Sequence, residues 1–135
     1  MHQKEKITVT AAVICQKEKI LITRRPEGVH LGGMWEFPGG KKESSETLEQ
    51  CMERELFEEL GINVRVEKKL IQVRHEYRSK IVELHFFKCA ILKGCAEPRE
   101  GQEMEWVEPG MLKDYTFPPP DKKIVACITE HPEDF

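Results

Sequence analysis

The chain has 135 residues, 39% hydrophobic and 33% charged, with a formal net charge of −3. That is the profile of a single globular domain, expected over residues 1–135, with enough chain to bury a core. It excludes the basic footprint a nucleic-acid polymer requires. No apolar run approaches the ~18 residues of a membrane span, and the first residues, MHQKEKITVT, hold no apolar signal core. The five cysteines are odd in number and scattered, without a CxxC pair. This is the pattern of reduced, buried thiols in a cytoplasmic protein rather than of a disulfide framework or a zinc site.

Taken along the chain, KITVTAAVIC (6–15) alternates and is rich in β-branched residues, which predicts a strand. KILITRR (19–25) follows a short charged turn and predicts its hairpin partner. The glycine- and proline-punctuated segment 26–40 is too irregular for one long element, with MWEF (34–37) as a short strand. Thr47 with Gln50 three residues on forms a capping box, so a helix starts after Thr47. It ends at Gly61, a left-handed cap, with Ile62 placed to pack back on Phe57. VRVEKKLIQVRHEY (64–77) and IVELHFFKCAIL (81–92) predict two longer strands joined by RSK. MEWVE (104–108) predicts a short strand and DKKIVACITE (121–130) a closing helix. The order β-β-β-α-β-β-β-α implies an α/β protein with a mixed sheet between helices, in one domain.

The helix carries an anomaly. Glu55, Glu58 and Glu59 fall within roughly 100° of arc on one side. Like charges so spaced repel, at about 0.2–0.5 kcal/mol per pair. Only Arg54 is near enough in sequence to offset them. Met52, Leu56 and Leu60 form the adjacent side, so the acids lie at the rim of the core. Clustered carboxylate oxygens are what a hard divalent cation such as Mg²⁺ requires. The competing explanation is a solvated acidic helix face.

From Gly40 the spacing reads GKKESSETLEQCMERELFEELGI: glycine, five residues, Glu46, seven residues, Arg54-Glu55-Leu56, one residue, Glu58-Glu59, one residue, Gly61-Ile62. At every defining position this resembles the Nudix box, residues 40–62 here. It is not a P-loop, because Trp35 stands at the required first glycine and Lys42 follows Lys41 where Ser or Thr belongs. The likeness extends over about residues 7–128 to the MutT-like members, which remove oxidised guanine nucleotides. ITRRPEGVHLGGMWEFPGGK resembles their segment before the box, EGQEMEW one that supplies a further carboxylate, and FPPPD one that reads the base.

The resemblance implies the Nudix fold, an α/β/α sandwich, and a Mg²⁺-dependent nucleoside triphosphate pyrophosphohydrolase in which Mn²⁺ can substitute. Its products would be a nucleoside monophosphate and pyrophosphate. Its substrate would be an oxidised nucleotide such as 8-oxo-dGTP, and the protein would be monomeric, with neither nucleic-acid polymer nor membrane as partner. Carried over by position, Glu55, Glu58, Glu59 and Glu100 with Arg54 form the candidate catalytic set. Gly39, through its carbonyl, and the four glutamates would hold metal. Arg25, His30, Glu36, Phe37, Pro38, Gly39, Phe117 and Asp121 would contact substrate. Taken alone, Arg25 could be a hairpin-end charge, His30 a loop histidine, Phe37 and Trp35 core aromatics, and Glu100 part of a solvated acidic loop. His75 and His85 sit on strand patterns and read as structural. One position departs from the guanine-specific pattern. Asp121 stands where an Asn amide would both donate and accept at a purine edge. Asp there also occurs in relatives that favour CTP-type nucleotides, so a CTP or dCTP pyrophosphatase is the alternative substrate assignment. Asp121 could also cap the closing helix. A nucleotide-binding module without catalysis is a third possibility, against which stands the complete set of box carboxylates.

Overall fold

The computed structural model describes residues 4–28 and 32–135. The predicted His30 contact lies outside the described residues. Strand β1 (Glu5–Gln16) is the axis of the molecule. From Glu5 to Ile14 it pairs in parallel with β6 (Lys80–Lys93), which pairs antiparallel with β5 (Asn63–Glu76). Along its other edge, Val9–Ala11 pairs antiparallel with β4 (Gly39–Lys41). At its far end β1 turns into β2 (Lys19–Arg24), which pairs with β3 (Trp35–Glu36) and β7 (Glu103–Val107).

Alternation along β1 builds two cores from one strand. Ala11 and Val13 face Ile22, Phe37, Phe86, Ile124 and Ile128, beneath α2 (Lys122–Glu130). Ala12 and Ile14 face Met52, Leu56, Leu60 and Phe87, beneath α1 (Leu48–Leu60). A strand covered on both faces must be apolar at consecutive positions, as Ala11-Ala12-Val13-Ile14 is. Each fully buried Leu, Ile or Met contributes about 1.5–3 kcal/mol. The expected mixed sheet between helices is therefore present, and its two faces are unequal: α1 carries the acids and α2 closes the opposite side.

Thr47 caps α1 as its sequence predicts. Its Oγ1 accepts from Gln50 N at 3.1 Å, and Gln50 Oε1 accepts from Thr47 N at 2.8 Å. Gly61, at φ 71°, ends the helix by donating its N–H to Phe57 O at 2.9 Å. Ile62 turns into the core beside Leu60, while Phe57 stays half exposed with the Arg99 guanidinium over its ring. The periodicity did not reveal β4, which is only three residues long and two of them glycine. Of the cysteines, Cys51 and Cys89 are buried, Cys15 and Cys127 are partly so, and Cys95 is exposed; all are free thiols. The expectation of buried thiols is thus met at Cys51 and Cys89 and corrected at Cys95, which is exposed. No helix among these residues is long and apolar enough to cross a membrane.

Candidate functional site

The site begins where β4 presses the glycine pair against β1. Gly39 lies opposite Ala11 and Gly40 opposite Thr10. A Cβ on Gly39 would overlap the Thr10 carbonyl, and one on Gly40 would overlap the Glu55 carboxylate. Gly39 demands glycine, because its neighbour is backbone, whereas Gly40 leaves the space that the end of the Glu55 side chain occupies.

Opposite the glycines, Arg54 organises the acids. Its Nε and Nη2 make a forked pair with Glu46 at 3.0 and 2.6 Å. Nη1 donates to Glu55 at 2.8 Å and to Glu58 at 3.2 Å, and Nη2 also donates to the Lys41 carbonyl at 3.1 Å. A planar guanidinium suits this fork, which a lysine could not reproduce. The hydrogen bonds from Arg54 hold the Glu46 carboxyl down at about 2. In return Glu46, and then Glu55, hold the guanidinium well above its ordinary value despite desolvation.

Glu59 is placed differently. It is 7% exposed and turned inward. Its carboxylate accepts from the Gly39 N–H at 3.3 Å and from the Thr23 hydroxyl at 3.5 Å. Among the described residues no Lys or Arg forms an ion pair with it. Burial pushes its carboxyl up to about 8; Glu36 adds to this, the Gly39 N–H opposes it, and Glu100 and Glu55 add further. Burial also raises Glu55, against the pull of Arg54. Glu58 is the outermost acid, with 52% of its side chain exposed.

Of these residues Gly39, Gly40 and Glu59 border a cleft of about 520 Å³, while Arg54, Glu46, Glu55 and Glu58 stand outside its lining. Val9, Val82 and Leu84 contribute apolar lining, and Gly39, Gly40, Glu59 and Glu100 contribute polar lining. Arg25, Glu36, Phe37 and Asp121 also line it. Arg25 donates to Glu36 at 3.3 Å. Desolvation raises the Glu36 carboxyl, with the Arg25 charge and hydrogen bond opposing. Asp121, 5% exposed, makes no capping hydrogen bond to α2, so the helix-cap explanation fails. Burial, then the charge of Glu36, push its carboxyl up to about 8 against Arg25. Phe37 stacks on Phe117 at 5.4 Å between centroids and meets Phe86 edge-on. Phe117 supports the wall from behind and does not itself line the cleft. Pro38 is buried and acts through its carbonyl, which accepts from Ala12 N at 2.8 Å.

Tyr77, Lys80 and Gln102 are among the lining residues that escaped sequence reasoning. Tyr77 and Lys80 come from the β5–β6 turn, with the Lys80 ammonium 5.8 Å from the centre of the Tyr77 ring. Gln102 comes from the loop before β7. Nothing in the local pattern distinguishes them, because they join the cleft only when the long hairpin and the loop fold against it.

The donor set suits a hard divalent cation. Glu55 and Glu59 are carboxylates that burial drives toward the neutral form, and around Glu59 only neutral donors compensate. A cation among carboxylates would reverse that penalty. The box acids are not tightly gathered. Among the described residues, the only three His, Cys, Asp or Glu ligand atoms within 4.8 Å of one another belong to the exposed His131, Glu133 and Asp134. Arg54 holds Glu55 and Glu58, while Glu59 turns to Gly39.

Acids suited to a hard cation, beside a cleft that also carries a guanidinium and an aromatic wall, define a phosphate-handling enzyme. Comparison with known proteins makes the class explicit. Residues 9–127 match the NUDIX domain family, and the chain belongs to that family. It is 46% identical over 88 residues to an 8-oxo-dGTP diphosphatase of Proteus vulgaris, covering 64% of this chain and 79% of that one. It is 36% identical to a CTP pyrophosphohydrolase of Escherichia coli K12, covering 90% of each chain. Its fold superposes on the crystal structure of MutT protein from Methanosarcina mazei Go1 with a TM-score of 0.84, at 26% identity over 98% of this chain and 99% of that one. As a Nudix hydrolase it works with a divalent metal.

Proposed function

We propose that the chain is a Mg²⁺-dependent nucleoside triphosphate pyrophosphohydrolase that clears oxidised nucleotides, with 8-oxo-dGTP as its preferred type of substrate. The observation that carries this reading is the single cleft bordered by both the acids Glu59 and Glu100 and the nucleoside-facing residues Arg25, Glu36, Phe37 and Asp121. Glu55, Glu58, Glu59 and Glu100, with the Gly39 carbonyl, would hold Mg²⁺ or Mn²⁺. The chemistry supplied there would be positive charge that offsets the charge of the polyphosphate and of the leaving group.

The chain's own residues supply the rest. Arg54 orients Glu55 and Glu58 through its fork. Gly39 and Gly40 let phosphate approach the backbone. Arg25 meets the substrate's negative charge, and Phe37, braced by Phe117, offers an aromatic face to the base. One of the box glutamates or Glu100 takes the proton of the attacking water. Free thiols throughout the described chain support a reducing, cytoplasmic setting. We propose a monomer acting on free nucleotides, since one chain contains every residue named.

A second reading, a CTP or dCTP pyrophosphatase, rests on Asp121 standing where the guanine-specific pattern has Asn and on the Escherichia coli relative. A buried carboxyl raised to about 8 is protonated at neutral pH and can then both donate and accept, as a purine edge needs. Ionised, it only accepts, as suits the exocyclic amine of cytosine. Pyrophosphate release with Mg²⁺, measured across 8-oxo-dGTP, dGTP, CTP and 5-methyl-dCTP, separates the readings. Highest kcat/KM for 8-oxo-dGTP is expected. Faster turnover of CTP or 5-methyl-dCTP would replace the oxidised-purine assignment, and no pyrophosphate from any of them would leave a binding module.

A further inference from the structure

Glu100 lies on an irregular, exposed loop between β6 and β7. A glutamate there loses side-chain and backbone freedom whenever it acts at a fixed point, unless its backbone is already held. The loop is held at the end of α1, whose last carbonyls lack helical partners. Glu97 N donates to Leu60 O at 3.0 Å and Arg99 N to Glu59 O at 3.0 Å. The Gln102 side chain completes the attachment. Its Oε1 accepts from the Glu100 N–H at 2.9 Å, and its Nε2 donates to the Glu59 carbonyl at 3.4 Å. The direction of the amide is fixed by its partners, since one is only a donor and the other only an acceptor. Gly101, at φ 75°, makes the intervening turn possible.

We propose that Gln102 is a positioning residue that sets the placement of Glu100 relative to Glu59 across the cleft. Its amide bridges the backbones of the two glutamates, one on a rigid helix and one on a loop. Both functions of the amide are used, so neither a carboxylate nor a hydroxyl of similar reach replaces it. The substitution Gln102→Glu would keep the acceptor for Glu100 but lose the donor and set a negative charge against the Glu59 carbonyl. The role rests on the proposed participation of Glu100 in the site, and the test separates the two.

In Gln102→Ala, kcat with Mg²⁺ and a triphosphate substrate should fall about 10- to 100-fold, the range seen when a supporting hydrogen bond behind an active group is removed. KM should change by much less than kcat, because both polar ends of the Gln102 amide, although it lines the cleft, are engaged by backbone. Gln102→Glu, which preserves volume, should show a similar fall and also serves if the alanine variant does not fold. Independently of activity, the Glu100 amide should exchange its hydrogen faster in Gln102→Ala, read by NMR on the metal-free protein. In a Glu100→Gln background, adding Gln102→Ala should cost less than about twofold more, since residues acting as a unit are not additive. Full kcat in Gln102→Ala beside an impaired Glu100→Gln overturns this proposal alone. So does an undiminished loss from Gln102→Ala in the Glu100→Gln background, or an unchanged Glu100 amide. Full kcat in Glu100→Gln removes the role of Glu100 itself, and the proposal with it.

Discussion

At the scale of single residues, the two adjacent glycines make opposite predictions from the same substitution. Alanine at Gly39 would drive a methyl group into the Thr10 backbone, which cannot move without disturbing the β1–β4 pairing. Gly39→Ala should therefore lose about 1–3 kcal/mol of stability, read from urea unfolding. Alanine at Gly40 meets only the end of the Glu55 side chain, which can rotate away. Gly40→Ala should fold within about 0.5 kcal/mol of the parent, as ordinary partly exposed substitutions do. Its hydrolysis rate should nevertheless drop about 10-fold or more, because Glu55 is displaced from its place beside Arg54. A stable, fully active Gly40→Ala would mean that the position of Glu55 is irrelevant to turnover. The contrast works because one neighbour is backbone and the other the free end of a long side chain.

At the scale of elements, the β1–β2 turn is under strain that nothing at the site requires. Lys17 and Glu18 both have positive φ, 51° and 64°, the conformation of a two-residue hairpin loop. Non-glycine residues prefer to avoid it, at about 1–2 kcal/mol each. Replacing Glu18 with glycine should stabilise the protein by up to about 1 kcal/mol without touching catalysis, since the turn lies outside the cleft lining. A fall in the melting temperature of Glu18→Gly would show that the gain in backbone freedom of the unfolded chain outweighs the relief of strain. Helix α1 is the converse case, an element whose local signals and tertiary role agree. Its capping box, left-handed glycine and apolar stripe all support one helix, which then tolerates three glutamates along one edge.

At the scale of the whole molecule, the cleft concentrates negative charge in a poorly solvated place, and this ties stability to pH and metal. Burial, with Glu36 adding, raises Asp121 and Glu59 to about 8, from ordinary values of 3.8 and 4.5. The folded chain thus retains protons that the unfolded chain releases. The stabilisation is complete below about pH 4 and is lost as pH rises through about 8. In chelator, the urea midpoint should therefore decline from pH 5 to pH 9, and Asp121→Asn should make the slope shallower by removing one of the two groups. At pH 8, Mg²⁺ or Mn²⁺ should raise the melting temperature, equivalent to about 2.7 kcal/mol at 100 times Kd. A flat pH profile in Asp121→Asn and parent alike would show that these acids are hydrated in solution. No melting shift at millimolar metal would count against the cation site.

What could be read along the chain was whatever depends on near neighbours. Thr47 and Gln50, the Gly61 stop, the alternation of β1 and the apolar stripe of α1 are local, and they placed the long strands and both helices almost to the residue. The spacing from Gly40 to Ile62 is equally local, since one helix and its leading turn contain all of it, so the family and its chemistry were legible before any coordinates. Folding decided what required segments distant in sequence to meet. Only packing of the 118–121 segment over the sheet buried Asp121 and removed it from a capping role. Only the β1–β4 contact made Gly39 a steric necessity. Only the long hairpin carried Tyr77 and Lys80 to the cleft, and only the loop laid on the end of α1 turned Gln102 from one polar residue in an acidic run into a bridge between two glutamates. Periodicity and spacing encode a residue's direction within its own element, whereas burial, desolvation and hydrogen bonding across the cleft depend on which other elements arrive beside it.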